Sequence, residues 1–366
     1  MKKILFLIEA LSSGGAERQT FYLLNKLNKN KFKIYLITWQ DKNFYFEEDL
    51  EEITWIKLER KSKFDFSLIL KIRSLIKKNE IEVVYGILNS GNLYAYLSTF
   101  FSKTKFVASE RSSKRKLPWQ VFIHKFFCHI LADFNIANSN AGRDFLLLWG
   151  VKSSRIMVIN NFQDLNKFKA IDPPLKNNFK KKLGFDKKYL ILCVARLTPL
   201  KNQLGILNSF AEFDFRNDST LCFLGTSEFN YKEKLLNKII EHNLQNHVVM
   251  SEPVQNVEEY YWAADISLLF SNFEGSPNTP MESLACGTPV ISSNVGDVSN
   301  YLKEDKTGWV IDSGNEVQLK NCLNQYFVLS QEKRFNISID CPNTVKNEQS
   351  DSNILYKKFE IIFEKI

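Results

Sequence analysis

The chain has 366 residues, 44% of them hydrophobic and 25% charged, with a formal net charge of +8. That length allows two domains with separate cores, and the composition excludes a disordered or fibrous chain. Six scattered cysteines, without a C-x-x-C pair or a histidine cluster, argue against a disulfide framework or zinc site and for a reducing compartment.

The N-terminal run Ile4-Leu5-Phe6-Leu7-Ile8 follows two lysines, but Glu9 interrupts it and no small-residue cleavage site follows. It reads as a first strand and not as a signal peptide. No apolar stretch approaches the roughly 18 residues of a membrane span. The expected location is cytoplasmic, with a peripheral place on the cytoplasmic membrane face.

Alternation dominates the first half. Strands are expected over 4–8, 33–39, 54–58, 82–87, 105–109, 134–137 and 156–159, with helices over 16–28, 67–78, 91–101, 118–131 and 141–148. Such alternation implies a doubly wound parallel sheet. At the first strand–helix turn, Gly14 and Gly15 permit close backbone approach, either as a simple tight turn or as a ligand loop. A dinucleotide site would need G-x-G-x-x-G, and only Gly14-Gly15-Ala16-Glu17 is present.

Between 103 and 130 lie Lys103, Lys105, Arg111, Lys114, Arg115, Lys116 and Lys125, interleaved with Trp119, Phe122, Phe126 and Phe127. This stretch reads as a core helix after a solvated basic loop, or as a surface for anionic phospholipid. Nucleic acid is disfavoured, because there is one patch and no recognisable binding motif.

A polar, lysine-rich run over 169–188 reads as a linker. The second half resumes with a strand over 189–195, then Arg196 and Lys201, which taken alone read as two solvated surface cations, before a helix over 203–213. Strands follow over 220–224, 248–250, 266–270, 290–291 and 309–311. The loop Ser271-Asn272-Phe273-Glu274-Gly275-Ser276-Pro277-Asn278 leads into a short helix from Thr279 that Gly287 ends. A loop at the carboxyl end of such a strand is where open α/β sheets bind ligands. Thr279 and Glu282 fit a capping box; alternatively the amides of this turn favour anionic oxygen, with Glu274 and Glu282 accepting hydroxyls. Beyond 312 the chain turns polar, and 354–366 has helical apolar spacing.

The segment from Glu274 to Glu282, with seven residues between the two carboxylates, resembles the E-x7-E block of family 4 glycosyltransferases. Gly14-Gly15-Ala16-Glu17 and the Arg196–Lys201 spacing resemble the same family's loops. The resemblance implies the α/β GT-B fold: two Rossmann-like doubly wound lobes facing a central cleft, with a C-terminal helix crossing back to the first lobe. The expected domains are an acceptor-side lobe over 1–168, the linker, a nucleotide-sugar-binding lobe over 189–345 and a crossover helix over 351–366. The implied activity is retaining transfer of a sugar from a nucleotide diphosphate sugar, UDP-linked foremost. The acceptor would be a hydroxyl of a polyprenyl-linked or surface polysaccharide glycan.

By the same resemblance Arg196 and Lys201 neutralise the diphosphate, Glu274 contacts the donor sugar and Glu282 binds the ribose. Gly14, Gly15, Gly275, Ser276, Asn278 and Thr279 line the substrate site. Glu110 and Arg111, where relatives carry a histidine, are further cleft candidates. No two aspartates stand one residue apart, so no D-x-D metal site exists; neither metal nor cofactor is expected. The alternatives are an epimerase of the same architecture, which the four histidines disfavour, a non-catalytic sugar-nucleotide-binding subunit, and an NAD-dependent dehydrogenase, disfavoured by the missing glycine fingerprint.

Overall fold

The computed structural model describes residues 1–45, 47–62, 64–111, 119–172, 174–227, 229–348 and 352–366. The chain forms two compact units, the first from residues 1–162 and 351–366, the second from residues 163–350.

The first unit is built on seven parallel strands: β1 (Lys2–Leu7), β2 (Phe32–Thr38), β3 (Ile53–Lys57), β4 (Val83–Gly86), β5 (Lys105–Glu110), β6 (Phe134–Ala137) and β7 (Ile156–Val158). Their order is β3-β2-β1-β4-β5-β6-β7, so the direction of winding reverses between β1 and β4. Leu5 of β1 stands level with Tyr35 on one side and Val84 on the other. Both faces of β1 are buried, Ile4 and Phe6 in one core and Leu5 and Leu7 in another, which is why its sequence reads as a continuous apolar run. The C-terminal helix Ser352–Lys365 lies on the Phe6 face. Its Leu355, Phe359, Ile362 and Phe363 are buried there, with Phe363 edge-on to Phe6 at 6.0 Å and to Tyr85 at 5.9 Å. The terminal helix that the apolar spacing implied therefore belongs to the first unit, as the family resemblance implied.

The second unit holds six parallel strands: β8 (Tyr189–Val194), β9 (Ser219–Leu224), β10 (Val248–Ser251), β11 (Ile266–Leu269), β12 (Val290–Ser293) and β13 (Gly308–Ile311). Their order is β10-β9-β8-β11-β12-β13, with the reversal between β8 and β11. The carboxyl ends of these two neighbours are a topological switch point.

One expectation needs correction. The run 169–188 is not a free linker: it carries the helix Leu175–Lys182 and belongs to the second unit. Lys176 and Lys180 reach Asp265 at 2.9 and 3.0 Å, and the Leu190 amide donates to the same carboxylate at 2.8 Å. Lysine-rich composition looked solvent-facing, but long stems with buried heads sew this helix to the sheet. The polar stretch beyond 312 forms the helices Glu316–Val328 and Gln331–Glu348 of the second unit. Ile337, Cys341 and Val345 are one buried stripe of the second helix, spaced by four residues. Through it that helix packs on the helix Thr279–Ala285.

Candidate active site

In the second unit the chain leaves β8 through a loop held from both sides. Leu197 donates its amide to Thr226 O at 2.8 Å, and Gly225 sits so close to Ala195 that a Cβ would lie 2.2 Å from its carbonyl oxygen. Gln203, fully buried, donates from its amide to Arg196 O at 2.9 Å. Asn202 adopts φ +53 and accepts the Gly205 amide at 3.3 Å, starting the helix Gln203–Ala211. The turn between them presents Arg196, exposed, and Lys201, partly buried.

The loop after β11 is tied to that turn. Asn272 donates its backbone amide to Leu200 O at 2.8 Å and its side-chain amide to Pro199 O at 3.2 Å. These bonds place Glu274 against Lys201, and the Lys201 ammonium donates to Glu274 Oε1. The Ser271 hydroxyl donates to the same oxygen at 2.6 Å. Gly296, at φ +56, lies against this loop, and a Cβ there would be 2.4 Å from Gly275 O. Lys201 and Glu274, 73 residues apart, thus meet at the carboxyl ends of β8 and β11, and Arg196 lies exposed in the same turn as Lys201.

Gly275 and Asn278 are buried, and Ser276 and Thr279 are partly so. The helix Thr279–Ala285 has Asn278 as its N-cap, without a side-chain cap bond. Thr279 is inside the first turn, so the capping box read from Thr279 and Glu282 is not formed. Gly287, at φ +82, ends the helix, with its amide donating to Leu284 O at 3.0 Å.

Glu282 departs from expectation. It has no accessible surface and accepts the Tyr261 hydroxyl at 3.0 Å. Ser283 beside it is also buried, bonded to Ser267 at 2.7 Å. In this structure the carboxylate expected at a ribose is turned to the interior.

The first-unit candidates are not all available to a ligand either. Gly14 is the N-cap of the helix Gly15–Lys26, and a Cβ on it would meet the Glu17 carboxylate at 2.3 Å. The Ser12 hydroxyl donates to Glu17 Oε1 at 3.1 Å across this loop, and Gly15 is exposed. Glu110 is a correction: it is 1% exposed, with Lys125 at 2.8 Å and His129 at 3.2 Å, all three inside the unit. Burial pushes its carboxyl up, but His129 and Lys125 together outweigh that and hold it below the ordinary range. Arg111 next to it is partly buried and donates to Asn161 at 3.3 Å.

The helix Trp119–Leu131 is inverted relative to a simple core helix. It buries Lys125, Cys128 and His129, while Trp119, Phe122, Ile123 and Phe127 are exposed. Lys114, Arg115, Lys116 and Pro118 lie outside the described residues.

Sequence reasoning missed Ser271, Gln203, Tyr261 and Asn272, which set the positions of Glu274, Arg196 and Glu282. Ser271 and Asn272 follow β11, where a polar residue is a signal; Gln203 opens a helix and Tyr261 lies inside the helix Val257–Ala263, where there was none. Among the described residues no three His, Cys, Asp or Glu side chains group as metal ligands.

Comparison with known proteins assigns both halves of the chain to glycosyltransferase families. Residues 13–167 match the model described as Glycosyltransferase Family 4, and residues 176–338 the model described as Glycosyl transferases group 1. A Campylobacter jejuni protein, N-acetylgalactosamine-N,N'-diacetylbacillosaminyl-diphospho-undecaprenol 4-alpha-N-acetylgalactosaminyltransferase, is 28% identical over 86% of this chain and 87% of its own. A second from that organism, GalNAc-alpha-(1->4)-GalNAc-alpha-(1->3)-diNAcBac-PP-undecaprenol alpha-1,4-N-acetyl-D-galactosaminyltransferase, is 25% identical over 98% of this chain and 97% of its own. Among solved structures, Anabaena HepE in complex with UDP and glucose superposes with a TM-score of 0.88 at 18% identity, covering 100% of both chains.

Proposed function

We propose that this chain, which belongs to the family 4 glycosyltransferases, moves a sugar from a UDP-sugar to a hydroxyl of a lipid-linked or surface glycan with retention at the anomeric carbon. It is a glycosyltransferase of the hexosyltransferase type, and its two parallel-sheet units are those of the GT-B architecture. The donor and acceptor classes are read from its relatives: HepE was solved with UDP, and the two Campylobacter enzymes are named for undecaprenol-linked substrates.

One observation carries the reading: an ammonium and a carboxylate, those of Lys201 and Glu274, are paired at the switch point between β8 and β11, with Arg196 exposed in the same turn as Lys201. The barrier to transfer is charge separation, negative on the leaving diphosphate and positive on the sugar. Arg196 supplies a planar fork and Lys201 a point charge for the phosphates. When Lys201 turns to the diphosphate, Glu274 is released to hold hydroxyls of the donor sugar near the transferring carbon. A departing phosphate oxygen can assist the acceptor on the same face, so Glu274 positions and no protein nucleophile is required. Amides around Ser276 and Thr279 add donors for the phosphates. Glu282 is assigned here to holding this helix through Tyr261 and not to the ribose. Two cations on the leaving group make a divalent metal unnecessary, so transfer should persist in EDTA.

No helix among the described residues is long and apolar enough to cross a membrane. Contact with an anionic membrane is supported by the exposed aromatic face of Trp119–Leu131. Loss of sedimentation with anionic liposomes in Trp119→Ala/Phe127→Ala is the expected result; unchanged sedimentation removes the membrane from this reading.

The deciding experiment is a thermal-shift panel of UDP, GDP, dTDP and their sugar conjugates, including UDP-N-acetylgalactosamine, with NAD as control. A ligand at a hundred times its Kd adds roughly 2.7 kcal/mol to stability. A shift with UDP compounds that disappears in Lys201→Ala is expected. A response to NAD alone would overturn the assignment of the donor.

A further inference from the structure

In the first unit, three side chains from the segments that follow β2, β3 and β4 meet on one carboxylate, that of Glu9 after β1. Glu9 follows β1, Gln40 follows β2, Arg60 follows β3 and Ser90 follows β4. Arg60 Nη2 donates to Glu9 Oε1 at 2.7 Å and Gln40 Nε2 to the same oxygen at 2.5 Å. Ser90 Oγ donates to Oε2 at 3.3 Å. The backbone is fixed too: the amides of Trp39 and Gln40 both donate to Glu9 O, at 3.0 and 2.9 Å. The segment carrying Ser90 is held by Leu88, which adopts φ +62 and donates its amide to Ser109 Oγ at 3.2 Å. All four side chains remain partly exposed.

This cluster stands at the reversal of strand order between β1 and β4, where open α/β sheets bind ligands. It retains unused capacity: most of the five guanidinium donors, the Gln40 carbonyl oxygen and the second lone pairs of Glu9. Its charge identifies the ligand class. Glu9 and Arg60 cancel, so a phosphate or carboxylate would meet a carboxylate at the centre of the cluster and gain no net attraction. A neutral polyhydroxyl suits it, because each hydroxyl can donate to Glu9 or Gln40 while accepting from Arg60.

We propose that Glu9, Gln40, Arg60 and Ser90 form a subsite for the hydroxyls of the acceptor's terminal sugar, and not for a polyprenyl diphosphate. This rests on the glycosyltransferase reading above and names the substrate part that the first unit recognises.

The test is saturation-transfer NMR and transfer kinetics with a panel of p-nitrophenyl hexosides and N-acetylhexosaminides, on the full chain and on Arg60→Ala, Glu9→Gln and Gln40→Ala. Gln40→Ala leaves the ion pair intact and keeps the test open where Arg60→Ala fails to fold. The expected result is saturation of at least one glycoside by the wild type, with acceptor KM raised roughly 10- to 100-fold in the variants. Donor KM and the UDP-induced thermal shift should stay unchanged. Absence of saturation in the wild type overturns the proposal. So does an unchanged acceptor KM in Gln40→Ala, or an equal rise in donor and acceptor KM with a lowered Tm, the signature of a brace between loops. Failure of the donor reading is separate: it is seen as a wild type silent to every sugar nucleotide.

Discussion

Lys201 and Glu274 are bonded to each other in the second unit, with the Ser271 hydroxyl on the same carboxylate oxygen. Both side chains are mostly buried, 20% and 14% exposed. On the proposed reading, a donor molecule entering here divides this pair, with the cation going to phosphate and the carboxylate to sugar.

The pair should therefore be indivisible in function. Lys201→Ala and Glu274→Ala are each expected to lower the transfer rate about 100-fold, near 2.7 kcal/mol of transition-state stabilisation. The double variant should be barely worse than either single one, because each removal already disables the unit. Steady-state kinetics on the three variants checks this; additive losses would separate the two roles.

Gly296 should tolerate no side chain. Its φ of +56 and the 2.4 Å from a built Cβ to Gly275 O mean that Gly296→Ala must displace the loop bearing Glu274. The expected outcome is a transfer rate at least tenfold lower, with a Tm within a few degrees of wild type. Normal kinetics would show that the loop's position does not matter to transfer.

Glu282 distinguishes a support from a contact. Glu282→Gln keeps an acceptor for Tyr261 and is expected to leave donor KM within about threefold, whereas Glu282→Ala leaves that buried hydroxyl without this acceptor at a cost of about 1–3 kcal/mol. A donor KM raised tenfold or more in Glu282→Gln, with unchanged Tm, would return this residue to the ribose.

Acid should loosen the second unit through Asp265. Burial pushes its carboxyl up, but Lys176 and Lys180 outweigh that and hold it below the ordinary range. A depressed folded-state value means stability that is present above the unfolded value of about 3.9 and lost as pH falls through the folded one. Tm followed from pH 7 to pH 3 should drop steeply below about pH 4 in the wild type. In Asp265→Asn it should start lower and change less.

Chain order and residue type determined much on their own. Continuous apolar runs such as Ile4–Ile8 and Val83–Val84 announced strands buried on both faces, and alternation with helices announced parallel sheets. The spacing of Leu355, Phe359 and Phe363 announced the terminal helix, and the residues from Arg196 to Lys201 and from Glu274 to Glu282 carried the family's pattern. What the linear chain could not contain was which partner each polar group would find. Lys201 could have met solvent and instead met Glu274, 73 residues away; Glu110 looked like a cleft residue and is neutralised inside by Lys125 and His129. The lysines of 169–188 looked solvated until Asp265 was placed beneath them. Apolar periodicity is local and repeats along the chain, so it is legible there. Pairing of charges is decided by the crossing of loops at strand ends, and only the assembled sheets bring those loops together.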